Sequence, residues 1–337
     1  MKWISRSFAI ALAVLSFSCE KEFIGKDPSN DPVNNFEHLW QVLNNKYAYF
    51  DYKSLDWEEV YDMYRPLVHD NMNNKELFGV LSDMLFELQD GHVNLTSPFD
   101  RSRNWDWFLD HPPNFNVNVI YRNYLGGDYR MTGPLHNQLI DSVLYVYYDS
   151  FSKNISSSHL EELMERARGM KGIVIDIRSN GGGSSANAVA LASALTGDSF
   201  EYAKSRIKNG PGRDDFSPWR TLRITPRTGQ KFTGQVILLC NRNSYSASNL
   251  FAQMMKALPN AMLIGDNTGG GGGIPAYGEL PNGWIFRYSA TQTVNMQDEH
   301  IEHGVEADIR VDLRPEDEAK GIDTILEEAL KAIISGY

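Results

Sequence analysis

The chain has 337 residues, 42% of them hydrophobic, and a formal net charge of −11. That length is one large domain or two smaller ones, with ample apolar material for a core and no signature of overall disorder. The acidic balance argues against nucleic acid as the main partner.

The N-terminus reads as a targeting segment. Lys2 and Arg6 precede an apolar run, residues 8–15, that is too short to span a bilayer. Ser18 then leads into Cys19, which resembles a bacterial lipoprotein signal. On that resemblance residues 1–18 are removed, Cys19 is lipidated, and the chain is anchored in the cell envelope, at the outer membrane, on its periplasmic or outer face. The acidic Glu20-Lys-Glu22 resembles the export signals of surface lipoproteins in Bacteroidetes-type bacteria. The plainer alternative is an ordinary secretory signal with an incidental cysteine. The only other cysteine, Cys240, lies in an apolar run and reads as a small buried hydrophobe, so neither a disulfide nor a cysteine metal site is expected. Residues 19–35, with Gly25, Pro28, Pro32, Asn34 and Asn35, read as a tether.

Residues 36–95 read as a helical subdomain. Phe36, Leu39, Trp40, Leu43 and Tyr47 recur at helical spacing; Asp56 and Asn74 are natural N-caps; Leu77, Phe78, Leu81, Met84, Leu85 and Leu88 form a further stripe. That helix runs into Asp90-Gly-His92, and a lone histidine after a helix is by itself usually structural. Residues 96–140 read as a small β-rich connecting segment, with Asn116–Arg122 alternating like a strand before the Gly126-Gly127 turn.

From residue 141 to 337 strands and helices alternate, which predicts an α/β core on a largely parallel sheet, with its site in the loops at the strand ends. The buried runs at 143–148, 172–177, 236–240 and 261–265 are its strands. Residues 199–233 are polar and turn-rich, and their basic cluster from Lys204 to Arg227 reads as a solvated loop face. Two glycine turns, Gly181–Gly183 and Gly269–Gly273, follow strands, yet neither has the spacing of a phosphate-binding loop. A glycine turn can also bring backbone N–H groups to a developing oxyanion. Ser246 sits at a strand-to-helix turn, where a hydroxyl is exposed beside outward N–H groups. On this stretch alone the plainer reading is a helix N-cap by Ser246 or Ser248.

Together these motifs resemble the C-terminal processing and tricorn-type serine peptidases. Asp176-Ile-Arg-Ser-Asn-Gly-Gly-Gly183 is similar to their D-x-R-x-N-G-G-G signature, and Ser246-Ala-Ser-Asn249 to their S-A-S-E nucleophile segment, with Asn for Glu. Gly265-Asp-Asn-Thr-Gly-Gly270 resembles their G-E-x-T-x-G turn; Glu302-His-Gly-Val-Glu-Ala-Asp308 resembles the E-x-x-G-V-x-P-D ending, one residue short before Gly304 and with Ala307 for Pro. The resemblance implies a crotonase/ClpP-like α/β core with an N-terminal helical subdomain, no metal and no organic cofactor. Processing peptidases use a lysine shortly after the G-E-x-T turn; residues 269–277 hold none, and Lys256 should point away. Tricorn-type members use a histidine from the N-terminal subdomain and a late carboxylate. By that resemblance Ser246 is the nucleophile, His92 its base and Glu302 a supporting carboxylate acting through another hydroxyl. Ala247 N–H and a glycine N–H, Gly182 foremost with Gly181 or Gly183 as alternatives, would hold the oxyanion, and Ser248 is left as the cap. These peptidases often carry Ser before the histidine; here it is Gly91. No PDZ-like module is visible. The expected substrate is a peptide or unfolded protein. The competing reading is a non-catalytic ligand- or peptide-binding lipoprotein on the same scaffold, as the interphotoreceptor retinoid-binding proteins resemble this family.

Overall fold

A computed structural model describes residues 29–336, so the signal segment and Cys19 lie outside the described residues. Helix α1 (Pro32–Lys46) starts where Asp31 accepts from Asn34 N and Pro occupies the first turn. The tether expected to run to residue 35 is therefore already helix from Pro32, and Asn35 is fully buried. Helices α2 (Phe50–Lys53), α3 (Trp57–Tyr64) and α4 (Asn74–Phe86) follow; Asn73 and Glu76 close a capping box on α4. The predicted stripes are the buried faces, joined by Leu280, Trp284, Phe286 and Tyr288 from far along the chain. Trp40 and Trp57 donate each indole N–H to the other's backbone carbonyl, which satisfies two polar groups in the middle of this apolar layer.

A short strand β1 (Asn94–Thr96) comes next, and beyond it the chain departs from the expected strand. Asn116–Arg122 is not a strand: Asn116 caps a turn from Val117 to Val119 that runs on as a π-helix, Ile120–Leu125. The alternating Val117 and Val119 misled the reading, whereas the side chains that bury fully are Ile120 and Leu125. With helix α5 (Asp106–Leu109) also in this stretch, residues 96–140 are β-rich only at their end, where β2 (Arg130–Thr132) and β3 (Leu135–Ile140) form a hairpin.

The core continues as β4 (Val143–Tyr147), α6 (Ser157–Ala167), β5 (Gly172–Asp176), α7 (Ser185–Ser193), β6 (Phe200–Ile207), β7 (Arg220–Ile224), β8 (Gln235–Cys240), α8 (Ala247–Ala257) and β9 (Ala261–Gly265). After it come β10 (Pro275–Glu279), β11 (Ile285–Ser289), β12 (Thr291–Val294), β13 (Ile309–Arg310) and a closing helix α9 (Thr324–Ser335). A seven-stranded sheet runs β13-β9-β8-β5-β4-β3-β2, with the five strands from β13 to β4 parallel and only β3 and β2 antiparallel. Apolar side chains cover both of its faces. The stretch 199–233 is not a solvated loop but contains the β6–β7 hairpin, which pairs with β12; Arg206 stacks over Phe216 and Trp219, so its charge sits on aromatic faces.

A third sheet, β1-β11-β10, positions the site. β1 leaves the helical layer and pairs antiparallel with β11, Asn94 opposite Arg287, which carries the segment after α4 over the carboxyl ends of β5 and β8.

Candidate active site

β5 and β8 are neighbouring parallel strands, so the loops that leave their carboxyl ends meet. The loop after β5 is braced first. Arg178, fully buried, grips Asp176 through Nε and Nη2 and reaches Asp323, the N-cap of α9, at 3.0 Å. Asn180 then accepts from Gly182 N at 3.0 Å and from Phe151 N, and donates to Tyr148 O. The D-x-R-x-N part of the signature is thus a scaffold for the glycine turn. Gly182 has φ +96°, and a Cβ there would stand 2.6 Å from Tyr245 O and 2.9 Å from Ala247 N, so only glycine lets the two turns approach.

The loop after β8 ends in Ser246, which has φ 59° and ψ −116°. A non-glycine residue held at positive φ stores strain, and such strain concentrates at functional turns. Ser246 occupies the N-cap position of α8 but its hydroxyl caps nothing, and Ser248, expected as the cap, lies inside the helix with its hydroxyl buried and unpartnered. The Ser246 hydroxyl is therefore free for another task. His92 Nε2 stands 2.9 Å from Ser246 Oγ, across 154 residues of sequence. The His92 backbone N–H donates to Asp90 Oδ1, whose other oxygen accepts from Tyr47, while Arg287 Nε donates to His92 O at 2.7 Å. These bonds hold the His92 backbone, and the residue is 3% exposed. Burial pushes its pKa down to about 4, Asp90 opposing and Arg287 assisting. A neutral imidazole facing a hydroxyl is a competent proton acceptor.

Glu302 does not touch His92. It is fully buried; Oε2 accepts from Gly272 N at 2.8 Å and Gly273 N at 3.3 Å, and Oε1 lies 3.5 Å from Lys53 Nζ. Burial and then the neighbouring Asp90 raise its pKa to about 8, against Lys53 and the two N–H groups. Among the described residues His92 Nδ1, Glu302 Oε1 and Tyr245 Oη are buried without a hydrogen-bond partner. The Tyr245 ring packs edge-on to His92 at 5.1 Å and stacks on Phe108 at 4.7 Å. It fills the room in front of Gly91: a Cβ there would lie 2.8 Å from Tyr245 Oη. Asn249, in place of the acidic residue, accepts from Thr268 Oγ1 and donates to Ile301 O, tying α8 to the Glu302 loop. Lys256 pairs with Asp308, away from Ser246.

Of the expected oxyanion donors, Ala247 N–H has no intramolecular partner among the described residues, whereas Gly182 N–H is already given to Asn180. Gly182 reaches an oxyanion only by releasing that bond. Asp90, Asn180, Tyr245 and Arg287 were missed by sequence reasoning. Asp90 and Asn180 lie inside the quoted motifs, without a role assigned to them there, and Tyr245 adjoins Ser246, which was the available signal; Arg287 gave none. These groups open onto a cleft of about 810 Å³ lined by Ser246, His92, the 181–183 turn, Trp105, Phe108 and Tyr277. No group of His, Cys, Asp and Glu among the described residues is arranged to hold a metal ion, and no helix there is long and apolar enough to cross a membrane.

Residues 142–311 match the profile of Peptidase family S41, and residues 28–86 that of the tricorn protease C1 domain. A solved peptidase structure from Parabacteroides merdae ATCC 43184 is 39% identical, covers 90% of this chain and 97% of its own, and superposes with a TM-score of 0.86. Mature CPAF complexed with lactacystin, at 12% identity over 90% of this chain and 98% of its own, shares the fold with a TM-score of 0.68. A CtpA-like serine protease of Staphylococcus aureus (strain N315) is 26% identical over 164 residues, or 48% of this chain; the match spans 32% of that relative's length.

Proposed function

Because the chain belongs to peptidase family S41, we propose that it is a serine endopeptidase of the cell envelope, cleaving peptides or unfolded proteins with Ser246 as nucleophile and His92 as general base. The observation that carries this is the 2.9 Å contact between His92 Nε2 and Ser246 Oγ, made by a hydroxyl that caps no helix. In the neutral ring the Nδ1 proton leaves Nε2 free to accept the Ser246 proton as Oγ attacks the peptide carbonyl. The imidazolium so formed returns that proton to the leaving amine. Water, deprotonated by the same nitrogen, then attacks the acyl-enzyme ester and releases Ser246. Ala247 N–H is the ready oxyanion donor, and a glycine N–H of the 181–183 turn completes the pair. Glu302 supports the array from behind, next to Lys53 and the 271–273 backbone, rather than by gripping His92. A lipid anchor at Cys19 would place the enzyme at the membrane.

The test is hydrolysis of a fluorescently quenched unfolded protein by the purified chain. Ser246→Ala should abolish turnover, and His92→Gln should lower kcat by about 10²–10⁴-fold. Undiminished cleavage by Ser246→Ala would put the nucleophile elsewhere, and a wild-type chain that binds the substrate without cleaving it would favour the non-catalytic binding reading.

A further inference from the structure

The cleft carries a charge pattern that the proposed chemistry does not use. The chain as a whole is acidic, at −11, yet among the described residues no carboxylate lines the 810 Å³ cleft or the 230 Å³ recess that adjoins it. The charged side chains on those walls are Arg287 and Arg101, and His92 is held neutral. Tyr277 and Arg287 line both spaces, so the recess adjoins the cleft that holds the Ser246–His92 pair.

Both guanidinium groups line this wall, Arg287 half-buried and Arg101 exposed. Arg287 is the middle residue of β11 and faces Asn94 across the β1 pairing. Its Nε and Nη2 donate to His92 O and Gly91 O, which fixes the side chain and leaves Nη1 unengaged. Arg101 Nη2 donates to Oδ1 of the same Asn94, at 3.2 Å, which draws the second guanidinium to the same strand crossing. Among the described residues neither arginine has a carboxylate within ion-pair distance. Burial and the like charge of Arg287 push Arg101 below its ordinary pKa. Like charges gathered without a counter-ion cost free energy, and Arg is the side chain suited to bidentate carboxylate recognition. An acidic molecule that keeps its cleft free of acids and concentrates arginines there is arranged to attract an anion.

We propose that the recess between Arg101 and Arg287 is a subsite for a substrate carboxylate, so that the enzyme selects peptides bearing an acidic group close to the scissile bond. This rests on the reading of Ser246 and His92 as a peptidase pair. The carboxylate could come from an Asp or Glu side chain or from a free C-terminus; both present the same planar acceptor. Tyr277, 68% exposed, flanks the recess and offers an aromatic face to the stem of the bound residue.

Binding separates this inference from catalysis. Fluorescent peptides are titrated against the Ser246→Ala protein in four forms: an internal Glu or its Gln isostere, each with a free or amidated C-terminus. A carboxylate form should bind about ten-fold or more tighter than its fully neutral isostere. A Glu-over-Gln preference assigns a side-chain subsite, and an acid-over-amide preference assigns a C-terminal one. The preference should shrink as salt rises, and Arg101→Gln should draw the ratio toward one. Equal affinity across all four forms, or a ratio that Arg101→Gln leaves intact, overturns the proposal. Loss of peptide cleavage by the wild-type chain with the binding preference retained would overturn the peptidase reading and leave the subsite standing.

Discussion

His92, the proposed base, is buried, and burial sets its charge. With its pKa held at about 4 the ring is neutral through the whole range in which an ordinary histidine would titrate. The sign is plain: protonation removes the base, and protonation now needs a lower pH. The acid limb of kcat/KM should therefore fall below about pH 5.5, not near the ordinary value of about 6.5; a limb at 6.5 or above would show that the ring is not desolvated in the working enzyme. Gly91 makes a second test at this scale. Related peptidases often place a serine there, but here a Cβ would strike Tyr245 Oη at 2.8 Å and Phe108 Cε1 at 2.9 Å, and the two rings are stacked. Gly91→Ser should thus cost about 1–3 kcal/mol of stability by overpacking and lower kcat/KM rather than raise it. An unchanged urea midpoint together with equal or higher activity would contradict this. Ser246, His92 and Glu302 could be picked out as candidates because each sits in a motif. The stand-off between Glu302 and His92 was not, because sequence order holds no distance.

At the scale of elements, the glycine turn depends on one buried ion cluster. Arg178 is shared between Asp176 at the end of β5 and Asp323 at the start of α9, and Tyr145 adds its hydroxyl to Asp176. Arg178→Met would strand two carboxylates in the interior. It should cost about 3–5 kcal/mol, a large share of the roughly 5–15 kcal/mol that holds a typical domain together. Urea unfolding checks this, and a loss under about 1 kcal/mol would mean that water reaches the cluster. Apolar runs made β4, β5, β8 and β9 readable, since strands covered on both faces leave continuous hydrophobic stretches. The Asn116 turn was opaque because capping and alternation call for the same short polar–apolar sequence. The β6–β7 hairpin was opaque because Arg220 and Arg223 are exposed while Arg206 stacks on aromatic rings, and a charge count does not distinguish the two.

At the scale of the whole molecule, the site exists only where two layers meet. The helical layer delivers Asp90 and His92, the parallel sheet delivers Ser246 and the glycine turn, and the β1–β11 pairing holds them in register. The alternating strands and helices announced the sheet, but the strand that bridges the layers is three residues long and pairs with a partner almost two hundred residues away, beyond the reach of any local pattern. The central claim is that this meeting makes Ser246 a nucleophile. Labelling with a fluorophosphonate, followed by mass mapping of the adduct, tests it most directly. The account predicts one adduct on Ser246, no label on Ser246→Ala, and labelling of His92→Gln slowed by about 10²-fold or more. An unlabelled wild-type chain, or a label that persists in Ser246→Ala, would contradict it.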